Sequence, residues 1–314
     1  MGEVVRIGTR GSALALWQAH WTQDQLKQIN ISSELKIIET SGDRFDSPAA
    51  QGTGIFVKEI EDQLLKNQID LAVHSAKDLP TEVPKGLILA AFSKRENPKD
   101  VIVFNSKFKN LPNKHEEIPL PLHAQVATGS VRRSSQLLAL RPDLKVEPIR
   151  GNVQTRLRKL EESFDAIILA GAGLKRLDLL KNYLHYEIPV DQMIPAVGQG
   201  VLALECRADD SIVKKILEKI NHQESEQIIL SERLFLHALQ GGCRAPIACY
   251  GAIENGQFIL RAAAGLPDGT VLIKKERRGI VANAQKTTQD LVNDFIAAGV
   301  SKILSAARAM ETAK

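Results

Sequence analysis

The sequence predicts an α/β architecture of two successive strand-and-helix units followed by a small α+β unit. Three observations carry this. Over the first two thirds, short apolar runs alternate with helical periodicities, the pattern of parallel sheets covered by helices. In the last third, strand-like runs are grouped together before a closing helix, which suggests a separate α+β domain. The length of 314 residues is too great for one ordinary core, so two or three domains are expected.

The elements follow in order. Residues 4–8 read as a strand. Ser12 then caps a helix running to about residue 29, with Leu14, Leu16, Trp17 and Trp21 on its apolar side. A strand at 34–40, a helix at 55–67, a short buried strand at 71–74 and a strand at 87–92 complete the first unit. Residues 93–98 are polar, end in Pro98 and mark a crossing point. Beyond them, 100–104 is a strand, and 105–122, rich in Pro, Lys and Asn, is an irregular connection. Strands at 125–127, 145–149 and 165–170 alternate with helices at 131–140, 153–161 and 173–180. The glycines of VGQG, 197–200, turn the chain into an apolar strand at 201–206. Helices at 211–221 and 224–239 lead to the string LQGGCRAP, and strands at 248–253, 258–264 and 270–279 precede a closing helix at 283–298.

Composition narrows the function. Hydrophobic residues at 44% and charged residues at 25% belong to a soluble globular protein. The N-terminal residues lack an apolar signal-peptide core, and no apolar run is long enough to span a bilayer, so a cytoplasmic protein with no membrane partner is expected. Cys206, Cys243 and Cys249 have no metal-ligand spacing, which predicts free thiols and no metal. The net charge of +4 is unevenly spread: Arg132, Arg133, Arg141, Lys145, Arg150, Arg156, Arg158 and Lys159 are opposed over that stretch only by Asp143 and Glu147. Nucleic acid is not expected as a partner, because aromatics are 4% of the chain and this stretch has none for stacking on bases. Small polyanions fit better.

Three places pair a strand end with a helix start and an arginine: TRGS at 9–12, TGSVRR at 128–133 and RGNVQTR at 150–156. A helix N-terminus already carries partial positive charge and unpaired N–H groups, so arginine there is unfavourable unless an anion binds. The repetition suggests several anion sites, with AGAGLKR at 170–176 as a fourth. Guanidinium forks suit bidentate contact with carboxylates or phosphates. The catalytic candidate is HSAKDLP at 74–80, which leaves a buried strand and ends at Pro80, crowding polar side chains at a strand's carboxyl end. Asp78 among arginines stays ionised and can stabilise positive charge on a substrate. Cys243, after two glycines and before Pro246, sits on a turn that can hold a thiol out of a core, where it could carry a covalent group.

The blocks RGSALAL, GIFVKE, HSAKDLP, TGSVRRSSQL, RGNVQTRLRKL, DAIILAGAGLKRL, PAVGQG and GGCRAPIACYG, in this order over almost the whole chain, resemble the porphobilinogen deaminase (hydroxymethylbilane synthase) family. The resemblance implies a transferase that condenses four porphobilinogens head to tail into hydroxymethylbilane, with loss of ammonia each time, in tetrapyrrole biosynthesis. It implies two periplasmic-binding-protein-like (type II) domains, 1–94 with 195–212 and 98–192, plus an α+β domain at 216–314. It implies a dipyrromethane cofactor joined to Cys243 by a thioether, and a monomer. Asp78 is then the catalytic residue. Ser75, Lys77, Thr128, Ser130, Arg132, Arg133 and Gln199 are expected around the cofactor. Arg10, Ser12, Gln18, Phe56, Arg150, Arg156 and Arg176 are expected around the substrate.

The chain departs from the family pattern in places. Ala76 replaces the usual methionine of HSMKD, TGSVRR stands where TSSLRR is usual, Thr53 replaces the lysine of GGKG, and the loop at 46–51 is short. The departures spare the catalytic groups and bear on lid behaviour and rate. The alternative function is a non-enzymatic anion-binding module of the periplasmic-binding type, which explains the arginines but not Cys243.

Overall fold

The computed structural model describes residues 4–40, 57–112, 117–240 and 245–312. In chain order the elements are β1 (Val5–Thr9), α1 (Ala13–Gln28), β2 (Ser33–Ile37), α2 (Lys58–Leu65), β3 (Leu71–Ser75) and β4 (Leu87–Phe92). Then come β5 (Asp100–Phe104), β6 (Gln125–Ala127), α3 (Val131–Leu140), β7 (Lys145–Glu147), α4 (Val153–Ser163), β8 (Ala166–Ala170), α5 (Gly171–Arg176) and β9 (His185–Glu187). The chain continues through β10 (Leu202–Arg207), α6 (Ser211–Glu218), α7 (Gln223–Ala238), β11 (Ile247–Glu254), β12 (Gln257–Gly265), β13 (Leu272–Ile280), α8 (Ala284–Ala297) and α9 (Val300–Thr312). These fall into two compact units, Met1–Glu96 with Gly200–Gln227, and Asn97–Gln199 with Ile228–Lys314.

The first unit holds a five-stranded sheet in the order β2-β1-β3-β10-β4. β1 runs parallel to β2 and β3, whereas β10 runs antiparallel to β3 and β4. The second unit repeats this layout as β7-β6-β8-β5-β9: β6 is parallel to β7 and β8, and β5 runs against β8 and β9. In each sheet the reversed strand is the one that follows the passage of the chain between units. A third, antiparallel sheet, β11-β12-β13, lies in the second unit. Two like α/β sheets and a small C-terminal domain of three antiparallel strands and helices are the architecture the sequence predicts.

Apolar patterning explains the layers. All five residues of β5 are buried, as a strand covered on both faces requires. Its alternate residues divide between two cores: Ile102 and Phe104 pack with Val126, Leu137 and Ile168, and Val101 and Val103 with Leu157, Leu160 and Ile167. In the first unit Ile7, Leu26, Leu71, Val73 and Leu204 form the main core, which Val213 and Leu217 of α6 join. The third sheet is sealed by Phe235, Phe258, Leu291 and Phe295, with Phe235 and Phe295 edge to face at 5.2 Å.

Some elements differ from expectation. The buried face of α1 is Gln18, Ala19, Thr22 and Leu26, while Leu14, Leu16, Trp17 and Trp21 are only half-buried. Hydrogen bonds set this rotation: Gln18 reaches Ser75 and Thr22 bonds back to the Gln18 carbonyl, so two polar side chains take the inner face. The expected helix at 173–180 starts earlier and stops at Arg176, where Asp178 takes a left-handed φ of 53°. The short edge strand β9 and the last helix α9 were not expected. The former has three residues and no alternation to signal it, and the latter restarts after Gly299, whose φ is +81°.

Candidate functional site

In both units the polar residues of interest gather at the carboxyl ends of parallel strands. In the first unit, β1 delivers Arg10 and Ser12, and β3 delivers Ser75 and the single 3-10 turn Ala76–Asp78. Ser12 caps α1 by accepting from Ala15 N at 3.3 Å. Buried Gln18 donates through Nε2 to Ser75 Oγ at 2.8 Å, fixing the first helix to the end of β3. Arg10, Ser12, Gln18, His74, Ser75 and Asp78 all line one open pocket. Asp78 is exposed and Lys77 half-buried on the same turn. A carboxylate, a guanidinium and hydroxyls around one opening can orient an acidic substrate and stabilise a cation formed beside the carboxylate.

Beneath this pocket is a pair that the sequence did not single out. His74 Nε2 and Glu205 Oε2 are hydrogen-bonded at 2.9 Å, with both side chains buried. Glu61 of α2 is also buried. Its carboxyl is pushed up from its ordinary value to about 7 by burial first, then by the charge of Glu205, with His74 opposing. The signal available in the sequence was an acidic residue inside the apolar string VLALEC.

In the second unit, Asp100 opens β5 and lies opposite Ala170, the last residue of β8. It is fully buried and collects three side chains. Arg132 donates from a terminal nitrogen to Oδ2 at 2.7 Å, Arg133 from Nε to Oδ1 at 2.9 Å, and Gln199 from Nε2 to Oδ1 at 2.9 Å. Arg132 also donates to the Ile194 carbonyl at 2.8 Å, and Arg133 to the Ile168 carbonyl at 3.0 Å. Burial would raise the Asp100 carboxyl, but the charges of Arg132 and Arg133 outweigh it and hold the group well below the usual carboxylate range. These two arginines are therefore built into the packing of α3, each 5% exposed. Two guanidiniums face one carboxylate here, so positive charge is in excess, which suits an acidic ligand.

The remaining expected residues of the second unit follow strand ends or lie on the helices that succeed them. Thr128 is buried and its Oγ1 accepts from Ser130 N at 3.2 Å. Ser130 caps α3 without using its side chain. Gly129 is required by close approach: a Cβ there would lie 2.7 Å from the Ile149 carbonyl oxygen, a reason internal to this chain for its departure from TSSLRR. Arg150 is exposed just ahead of α4, whose cap Asn152 accepts from Thr155 N at 2.9 Å, and Arg156 donates from Nε to the Gly151 carbonyl at 2.8 Å. Arg176 ends α5, so it is not at a helix N-terminus. Phe56 and Cys243 lie outside the described residues. Cys206 is fully buried in β10, its thiol pushed up to about 11 by burial, and Cys249 is fully buried in β11. Among the described residues no cluster of ligands suited to a metal ion occurs, and no helix is long and apolar enough to cross a membrane.

Residues 5–215 match the porphobilinogen deaminase dipyromethane cofactor binding domain, and residues 210–297 match the porphobilinogen deaminase C-terminal domain. The chain belongs to the porphobilinogen deaminase family. It is 43% identical to a porphobilinogen deaminase of Geobacter sulfurreducens over 311 residues, 96% of this chain and 94% of that one. It is 45% identical to one of Campylobacter hominis over 313 residues, 98% of this chain and 99% of that one. Among solved structures it is similar to an ancestral cationic amino acid solute binding protein, at 13% identity and a TM-score of 0.41 over 71% of this chain and 90% of that one. A similar likeness holds for a periplasmic VFT2 domain of Bordetella pertussis BvgS, at 16% identity and a TM-score of 0.39 over 73% of this chain and 92% of that one. The family's dipyrromethane cofactor fits the donor set: its pyrroles carry carboxylates, and the residues present offer buried and half-buried cations with hydroxyls beside them.

Proposed function

We propose that this chain condenses porphobilinogen into hydroxymethylbilane as a monomeric cytoplasmic enzyme, with Asp78 as the catalytic residue and Cys243 as the attachment point of the dipyrromethane. The observation that carries the reading is the gathering of Arg10, Ser12, Gln18, Ser75 and Asp78 around one pocket at the end of β3. Full-length family membership, including the C-terminal domain, supports an enzyme over a bare anion-binding module.

The bound dipyrromethane supplies the pyrrole end from which the product grows. Arg132, Arg133, Thr128, Ser130, Lys77, Ser75 and Gln199 are assigned to holding it. Arg10, Ser12, Gln18, Phe56, Arg150, Arg156 and Arg176 are assigned to the incoming substrate. When the aminomethyl C–N bond breaks, ammonia leaves with the electron pair and the substrate carbon is left cationic, its charge shared with the ring nitrogen. Asp78, exposed at the pocket, stabilises that charge before it forms. Asp78 is also placed to accept the proton that a ring carbon would give up when the new carbon–carbon bond forms. Burial of Cys206 and Cys249 leaves Cys243 as the thiol suited to a covalent link. The charge excess favours small polyanions, not nucleic acid, as ligands.

The test is direct. Purified protein is given porphobilinogen, and ammonia and hydroxymethylbilane are measured. Four ammonia per product, a mass excess on the protein and a pink colour with Ehrlich's reagent are expected. Absence of turnover together with a bare-chain mass would overturn the reading in favour of a binding module.

A further inference from the structure

The buried groups behind the pocket are not used by the roles above. β3 and β10 are antiparallel, with His74 opposite Ala203, so Glu205 lies two residues along on the same sheet face. α2 packs over β3 and β10 and contributes Glu61 to that layer. Glu205 spends one oxygen on His74, and its other oxygen, also buried, has no hydrogen-bond partner. His74 itself lines the pocket shared with Asp78.

We propose that Glu61, acting through His74 and Glu205, is a positioning residue that tunes the charge of the Asp78 pocket, its deprotonation favouring the step in which ammonia departs. The proposal rests on the porphobilinogen-condensing reading given above. The cluster contains two carboxyl groups and one imidazole in a water-poor layer. Loss of the Glu61 proton makes that layer more negative by one charge. A negative charge fixed behind the pocket lowers the energy of a cation forming in it, and the effect is strengthened by low local polarity.

The groups that set this titration are few. Asp62 on the same helix and Glu205 on β10 oppose the ionisation of Glu61, and His74 on β3 favours it. β10 also carries Arg207, whose guanidinium donates to the Leu64 carbonyl of α2 at 3.1 Å and to the Ile69 carbonyl at 2.6 Å and is neutralised by Asp210 at 2.7 Å. β4 brings no titratable residue, and the one on β1, Arg6, is held by Asp70 at 2.6 Å. The carboxyl of Glu61 therefore changes state near pH 7, within the working range of a cytoplasmic enzyme.

The experiment compares the parent holoenzyme with Glu61→Gln and Glu205→Gln in single-turnover ammonia release from pH 5.5 to 9. Thermal stability is measured over the same range. The parent rate is expected to rise roughly threefold to tenfold through about pH 7. Glu61→Gln should lose that rise and stay at the lower plateau. Glu205→Gln should move the midpoint to lower pH, because one source of repulsion is gone. Stability gives a readout independent of turnover. A carboxyl whose value is raised on folding contributes stability that is present below its unfolded value and lost as pH rises through the folded one. The parent should therefore lose stability relative to Glu61→Gln between about pH 4.5 and 7. Parallel rate profiles, or a stability difference that does not vary with pH, would overturn the proposal. A parent that shows the stability change but releases no ammonia at any pH would instead contradict the reading on which it rests, and the pocket-tuning role with it.

Discussion

Gln18 Nε2 lies 2.8 Å from Ser75 Oγ, and this one hydrogen bond joins the first helix to the strand end three residues before Asp78. Both residues line the pocket, and Gln18 is buried. The helix is rotated so that this amide shares the inner face with Ala19, Thr22 and Leu26. Gln18→Leu keeps the volume but removes the donor. The expected cost is about 1 kcal/mol of stability, with a larger relative fall in turnover because the Asp78 turn loses a brace. Calorimetry beside steady-state kinetics checks this; a variant that loses stability and keeps full turnover would show that the bond serves packing alone.

Asp78→Asn keeps the shape of the turn and removes its charge. Ammonia departure creates the charge that Asp78 is placed to stabilise, so turnover should fall by roughly two to four decades. Porphobilinogen binding should weaken much less, since the substrate carboxylates are assigned to Arg10 and other cations. Titration of the variant with porphobilinogen, alongside a product assay, separates the two. Near-normal turnover would remove Asp78 from the chemistry.

Cys243→Ala should fold, show the bare-chain mass and make no product. Cys206→Ala and Cys249→Ser should retain the mass excess, although each opens or polarises a packed site and should cost about 1–3 kcal/mol of stability. Intact-mass spectra of the three variants decide the attachment point. Retention of the excess in Cys243→Ala would place it elsewhere.

The sequence made the local parts of this site legible and concealed the distant ones. Ser75, Lys77 and Asp78 stood out because they are adjacent in one short string after a buried strand. Arg132 and Arg133 stood out as cations, but their partner did not: Asp100 is more than thirty residues earlier and opens an apolar strand, where periodicity says nothing of its role. Glu205 is 131 residues from His74 and meets it only because β10 returns against β3. The same limit explains α1, where hydrophobicity pointed to the tryptophans and a tertiary hydrogen bond chose Gln18. Strand alternation gave the two sheets. It could not give the reversed strands β5 and β10, whose direction is decided by how the chain passes between units.

Asp100→Leu should be the most destabilising change in the second unit. It leaves two buried guanidiniums without their carboxylate, and breaking such a pairing typically costs about 3–5 kcal/mol. Asp100→Asn keeps acceptor geometry on one oxygen and should cost less. The pH dependence follows from the depressed carboxyl: its contribution is present above the unfolded value of 3.8 and is lost as pH falls towards the lower folded value. Acid unfolding of the parent should therefore include a steep loss below about pH 4 that Asp100→Asn lacks. Equal acid sensitivity in both proteins would count against the cluster as an anchor.

The arginines should divide by the step at which their loss is felt. Each condensation adds a ring and two more carboxylates, so one fixed site cannot hold every stage; on the proposed reading the grown part shifts while the reacting end stays near Asp78. Arg132 and Arg133 are built into the core around Asp100, at the start of α3. Arg132→Leu and Arg133→Leu should therefore lower stability and impair assembly of the primer, seen as a reduced mass excess before any substrate is added. Arg150, Arg156 and Arg176 lie on a loop, on the first turns of α4 and at the end of α5, all more exposed than the Asp100 pair. Their Leu variants should fold and carry the primer, then accumulate protein bearing one, two or three added rings when briefly exposed to porphobilinogen. Lysine should rescue poorly at sites that use the planar fork, since an ammonium cannot make the paired contact with a carboxylate. Mass spectra taken over seconds to minutes would show the ladders. If every variant gave the parent's ladder at a lower rate, the arginines would act only as a general positive field, and step-specific holding would be wrong.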